Sequence, residues 1–179
     1  MDRRRPWLLM MDLDGTVWDH LNITGVDPPY RVEGGVLVSE NGTRIRPYQD
    51  AIEFIRWCRS NGAITCTLSW NRFDYVEEAL KKLGIWELFD LHATEYTPDK
   101  AGRLRRVLDG LAGGGLVIPP ERVVYVDDRD IHMEEIRRQV GEVIFIHIWK
   151  VIRDYAEARR IVEDKVLGTP AAREGPAGQ

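Results

Sequence analysis

Asp12 and Asp14 stand two residues apart at the end of a short apolar run, and Asp127 and Asp128 stand side by side at the end of another. Between these pairs lie Ser69, after a third run, and Lys100, at the start of a helical pattern. Carboxylates brought close together repel and raise each other's pKa unless a cation joins them, and oxygen-only ligands with open positions suit Mg²⁺. A hydroxyl and an ammonium beside them can hold phosphoryl oxygens. The set therefore points to phosphoryl transfer, in which positioning and charge neutralisation carry most of the catalysis.

The elements that must bring these groups together are legible in the apolar pattern. Residues 7–11, WLLMM, form an apolar run with no alternation, the mark of a strand buried on both faces of a parallel sheet. Further strands are predicted over 63–68, 88–94, 122–126 and 143–148. Helical spacing predicts helices from Pro47, as an N1 residue, to Asn61-Gly62, over 76–83, over 101–111 behind a cap at Thr97-Pro98-Asp99, over 131–140 and over 152–166. Alternating strands and helices without an internal repeat give an α/β fold with a doubly wound parallel sheet of about five strands. In such a sheet ligands bind outside the carboxyl ends of the strands, so groups following strands one, two and four converge on one crevice. Residues 19–46 break this rhythm. Asp27-Pro28-Pro29 cannot be helical, and Asn41-Gly42 between two extended segments predicts a β-hairpin flap, which lies either beside the acids or idle on the surface.

The 179 residues suit one domain, expected over 1–167, with 168–179 a disordered tail poor in apolar residues. A hydrophobic fraction of 44% and a charged fraction of 30% are those of a globular protein, and a net charge of −4 provides no field to gather nucleic acid. Cys58 and Cys66 both fall in apolar-periodic segments, which suggests reduced, buried thiols and a cytoplasmic location rather than a disulfide framework. No apolar run reaches the ~20 residues needed to span a bilayer, so no membrane partner is expected. His20, His92, His132 and His147 show no ligand spacing and read as surface or packing residues.

Asp12-Leu13-Asp14-Gly15-Thr16, Ser69, Lys100 and Asp127-Asp128 resemble, in order, the four motifs of the haloacid dehalogenase superfamily. Asp-Leu-Asp-x-Thr-x-Trp, Asp27-Pro28-Pro29, the hairpin followed by Pro47-Tyr48, and Val126-Asp127-Asp128 resemble more narrowly the magnesium-dependent phosphatase-1 family, over about residues 8–147. That resemblance implies a Rossmann-like core with a small hairpin and no cap domain. It implies a Mg²⁺-dependent phosphomonoester hydrolase acting through an aspartyl-phosphate on aryl, phosphotyrosine-like or sugar phosphates, whether small molecules or phosphorylated protein side chains. Asp12 would be the nucleophile and a metal ligand. Asp14 would be the acid/base and a metal ligand through its backbone carbonyl. Ser69 and Lys100 would hold phosphoryl oxygens, Asp128 would bind metal directly, and Asp127 would bind it directly or through water. Thr16 would brace the loop. This chain departs from the family's pattern after the serine, where Trp70 and Asn71 intervene before Arg72. Trp70, Asn71 and Arg72 are the expected substrate contacts of that loop, and the Trp18 and Trp70 rings read either as surfaces that stack on an aromatic or sugar face or, in preference, as rim packing.

Two other readings share part of the set. A response-regulator-like phosphoacceptor also groups acids, a hydroxyl and a lysine around Mg²⁺, but its lysine follows the hydroxyl's strand near the end of the sheet, whereas Lys100 precedes strand four. An accessory domain for phosphoryl or glyceryl transfer, like polyketide-associated capless relatives, works with carrier proteins. For the assembly, the expectation is a monomer or a weak homodimer.

Overall fold

The computed structural model describes residues 5–168, so the expected tail lies, beyond Gly168, outside the described residues. β1 (Trp7–Met11) is buried throughout. Three short strands follow, β2 (Tyr30–Glu33), β3 (Val36–Ser39) and β4 (Arg44–Ile45). The chain then alternates: α1 (Gln49–Ser60), β5 (Ala63–Trp70), α2 (Phe73–Lys82), β6 (Leu91–Glu95), α3 (Lys100–Gly113), β7 (Val123–Asp127), α4 (Met133–Gln139), β8 (Ile144–His147) and α5 (Tyr155–Val162).

β1, β5, β6, β7 and β8 form one sheet in the order β6-β5-β1-β7-β8, with every neighbouring pair parallel. The chain builds outward from β1 through β5 to β6, then crosses back to lay β7 on the other side of β1. The reversal leaves a switch point between β1 and β7, where the loops leaving the two strands part in opposite directions. Asp12 and Asp127 stand at the ends of these two strands.

β1 explains why its acids are held firmly. Trp7, Leu9 and Met11 join one apolar cluster with side chains of α1, α2 and α5, while Leu8 and Met10 join the other with side chains of α3 and α4. The strand is thus packed from both faces and hydrogen-bonded along both edges, as its unbroken apolar sequence requires.

Several boundaries differ from the sequence expectation for local reasons. α1 begins at Gln49 because Tyr48 is its extended N-cap and Pro47 bridges back to Trp18 in the preceding chain. α3 begins at Lys100, and within the expected capping stretch it is Asp99 whose carboxylate accepts the Gly102 amide, at 2.8 Å. α5 starts at Tyr155, where Asp154 caps by accepting the Glu157 amide. The hairpin is confirmed across Asn41-Gly42, with Gly42 at φ +86°, but it belongs to a three-stranded antiparallel sheet. The additional strand, β2, follows Pro29 directly and has only one buried residue, so neither alternation nor length announced it. This flap is tied to α2, where the Tyr30 amide donates to Glu78 at 2.8 Å and the Tyr75 hydroxyl to Asp27 at 2.6 Å.

Candidate active site

Asp12 follows β1 and continues its ladder, its amide donating to the Val126 carbonyl at 3.0 Å. The side chain is 3% exposed, and both oxygens are held: Oδ1 accepts from Lys100 Nζ at 2.8 Å and Oδ2 from the Thr16 hydroxyl at 3.0 Å. Lys100, fully buried at the start of α3, also donates to Asp127 Oδ2 at 2.7 Å and lies 3.5 Å from the Tyr125 hydroxyl. Tyr125 donates to that same Asp127 oxygen, while the other accepts the Arg129 amide at 3.0 Å. Both Asp127 oxygens are thus hydrogen-bonded, one of them to the lysine.

Asp128 is turned differently. Its amide donates to Thr16 Oγ1 at 3.2 Å, and its carbonyl lies 3.1 Å from His147 Nε2. Gly15 sits at φ +68°, and a Cβ there would lie 2.5 Å from Asp128 Oδ2, so only glycine lets these two loops approach so closely. The loop carrying Asp14 and Gly15 is fixed from outside, the Trp149 indole donating to the Gly15 carbonyl at 2.9 Å and the Tyr155 hydroxyl to the Thr16 carbonyl at 2.7 Å.

The Asp14 carboxylate accepts three hydrogen bonds. Trp18 Nε1 at 2.8 Å and the Ile23 amide at 3.2 Å reach Oδ1, and Asn71 Nδ2 at 2.8 Å reaches Oδ2. Asn71 also donates to Ser69 Oγ at 2.8 Å and accepts from the Thr24 hydroxyl at 2.6 Å. One buried amide thus joins the acid after β1, the hydroxyl at the end of β5 and the base of the flap. Arg72 is directed elsewhere, to Asp74 at 2.7 Å and over the Tyr75 ring at 4.2 Å. Trp70, 39% exposed, follows the fully buried Ser69 on the strand, and the alternation of strand side chains turns it away from the face Ser69 occupies.

The electrostatics follow from burial. Desolvation pushes Asp12 well above the usual carboxylate range, with Lys100 opposing and Asp127 adding to the rise. Burial likewise raises Asp14 against the donors Trp18, Asn71 and Ile23, and raises Asp128, helped by the charge of Asp127. At Asp127 burial also acts upward, but the Lys100 ammonium overrides it and the net direction is down. Burial pulls Lys100 down, yet Asp12 and Asp127 hold it above its ordinary value and charged. Oxygens of Asp12, Asp127 and Asp128 all lie within 4.8 Å of one another. Three carboxylates against one ammonium leave uncompensated negative charge, and a hard divalent cation suits both that charge and the all-oxygen donor set.

The structure therefore brings together Asp12, Asp14, Ser69, Asn71, Lys100, Asp127 and Asp128. Sequence reasoning overlooked Tyr125, Thr24 and the hydrogen-bonding role of Trp18. Tyr125 had a signal: it lies two residues before Asp127 in a buried strand, hence on the same face, and a buried phenol needs a partner.

No protein-family model matches the chain, and a search of curated proteins finds no match. Solved structures do match in three dimensions. The haloacid dehalogenase (HAD) domain of the effector protein Lem4 from Legionella pneumophila is 11% identical, with a TM-score of 0.63, over 92% of this chain and 97% of that one. A haloacid dehalogenase-like family hydrolase from Streptococcus pneumoniae is 14% identical, with a TM-score of 0.54, over 87% and 90%. The N-terminal part of protein BF1531 from Bacteroides fragilis, which contains a phosphatase domain and was crystallised with Mg, is 16% identical, with a TM-score of 0.57. The match covers 89% of this chain but only 40% of that one. At these identities the likeness establishes the fold alone, an α/β Rossmann-like core that these haloacid dehalogenase domains share.

Proposed function

We propose that this chain is a Mg²⁺-dependent phosphomonoester hydrolase of the haloacid dehalogenase superfamily, acting through a phosphoryl group carried on Asp12. The observation that supports this most directly is the convergence of Asp12, Lys100, Asp127 and Asp128 with Ser69 and Asp14 at the carboxyl ends of three adjacent strands. The phosphatase domain crystallised with Mg shares that fold.

In this reading an Asp12 oxygen attacks phosphorus, the bond to the leaving oxygen breaks, and Asp14 gives that oxygen its proton. Asp14 then takes a proton from water, which attacks the phosphorus and frees Asp12 and inorganic phosphate. Its raised pKa favours holding a proton, yet in the geometry described it accepts three hydrogen bonds as a carboxylate would. Oδ1 is taken up by two donors, whereas Oδ2 accepts only Asn71 and keeps a lone pair free to carry the proton that is delivered. The Ser69 hydroxyl and Lys100 ammonium hold non-bridging oxygens, and Lys100 also offsets repulsion between Asp12 and the anionic substrate. Asp12, Asp128 and the Asp14 carbonyl would hold Mg²⁺, with Asp127 acting through Lys100. When bound, the ion supplies positive charge against the phosphoryl oxygens and the clustered acids.

The substrate class we assign is an aryl, phosphotyrosine-like or sugar phosphate. The flap offers a small antiparallel sheet in place of a lid domain, so we read the site as capless and open to a small molecule or a protein side chain. Free, buried Cys58 and Cys66 support a cytoplasmic setting, and among the described residues no helix is long and apolar enough to cross a membrane. The test is hydrolysis of p-nitrophenyl phosphate with Mg²⁺ and with EDTA. Equal rates in the two, or full activity in Asp12→Asn, would overturn the assignment.

A further inference from the structure

Arg103 lies one helical turn after Lys100 and is 1% exposed, among the apolar side chains that seat α3 on the sheet. Its guanidinium donates to backbone carbonyls. Nε reaches Asp99 O at 3.2 Å, Nη1 reaches Ser69 O at 2.7 Å and Glu95 O at 2.8 Å, and Nη2 reaches Thr97 O at 3.0 Å. The Glu95 carbonyl accepts the Asn71 amide as well, at 3.1 Å. These oxygens belong to the end of β5, which carries Ser69, the end of β6, and the turn that opens onto Lys100.

None of these elements needs an arginine in order to form. β5 and β6 are already paired, with Ser69 opposite Thr94, and α3 is already capped by Asp99. A buried guanidinium is costly to desolvate, and apolar neighbours such as Ala101 and Leu104 fill the same layer without that cost. What a rigid planar fork supplies, and an aliphatic side chain cannot, is fixed separations and angles among carbonyls from three segments.

We propose that Arg103 is a positioning residue for phosphoryl binding, setting the distance between the Ser69 hydroxyl and the Lys100 ammonium so that both reach one phosphoryl group. This rests on the role given above to Ser69 and Lys100. Lysine at position 103 keeps the charge but concentrates its donors at one point, and glutamine keeps a planar end with only two donors. Neither spans the set of carbonyls.

The experiment compares wild type, Arg103→Lys, Arg103→Gln and Leu104→Ala, the last a buried neighbour that makes none of these bonds and so calibrates simple loss of stability. Affinity for inorganic phosphate in Mg²⁺ is measured by calorimetry, turnover of p-nitrophenyl phosphate by steady-state kinetics, and stability by thermal unfolding. Arg103→Lys and Arg103→Gln should bind phosphate about tenfold more weakly and lose on the order of a hundredfold in kcat/KM, the scale of a small misplacement of reacting groups. Leu104→Ala should unfold earlier yet keep both constants per folded molecule. If either folded Arg103 variant keeps phosphate affinity and kcat/KM within about twofold of wild type, or if Leu104→Ala loses them equally, the positioning role is overturned. A wild type that neither binds phosphate nor hydrolyses the ester instead overturns the reading of the site on which this rests.

Discussion

In the proposed mechanism Asp14 loses a proton and regains one within each turnover. Asp14→Asn keeps the side chain's shape but can neither donate as an acid nor act as a base, so kcat for an alkyl phosphate should fall about 10²- to 10⁴-fold. With an aryl phosphate, whose leaving group departs with less help, the deficit should shift to the second half-reaction; rapid-quench measurement should show a burst of phenol followed by slow turnover. Asp12→Asn should cost at least about a thousandfold with either substrate and give no burst. These acids were legible in the sequence because strand ends in a parallel sheet are where ligands bind. Tyr125 carried a weaker signal, its place on the same strand face as Asp127, to which it donates; Thr24 carried none, because it matters through Asn71, which is distant in sequence.

Gly15 and the flap show how segments carry the site. Gly15→Ala places a Cβ at φ +68° against Asp128 Oδ2, so it should cost about 1–3 kcal/mol in stability and weaken Mg²⁺ binding more than phosphate binding, measured by calorimetry of each separately. The base of the flap meets the site through the Ile23 amide on Asp14 and through the Thr24 hydroxyl, which donates to Asn71 and accepts the Arg72 amide at 3.0 Å. Thr24→Val retains the shape and removes both bonds. It should lower kcat several-fold to about tenfold, with unfolding lowered by roughly 1 kcal/mol; unchanged kinetics would show that this hydroxyl and the acids work independently. The strands of the parallel sheet were readable because short, β-rich apolar runs bounded by turns and alternating with helical patterns fit a βαβ arrangement and little else. β2 was not, since only Tyr30 of its four residues reaches the core and the other three are exposed, leaving no apolar alternation to read.

Across the whole molecule the clustered acids make stability depend on metal and pH together. Asp12, Asp14 and Asp128 are all raised by burial, so in the window above the ordinary carboxylate range the folded chain holds more protons than the unfolded one. Stability in EDTA should therefore increase as pH is lowered from about 7 toward about 5. Asp127 is lowered and acts oppositely, its contribution being lost only as pH falls further, through its folded pKa. Mg²⁺ at about a hundred times its dissociation constant should add about 2.7 kcal/mol, or roughly 5 to 10 °C in Tm, and should flatten the pH dependence. A Tm in EDTA that falls steadily from pH 7 downward would contradict this balance of charge. The indole of Trp18 has one further consequence. It is wholly buried and donates to Oδ1 of Asp14, the residue proposed to carry the proton. An indole that exchanges an anionic neighbour for a neutral one changes its emission, so on the proposed mechanism Trp18 would report the acid/base step optically. The difference between wild-type and Trp18→Phe fluorescence should then follow the state of the site without any added label.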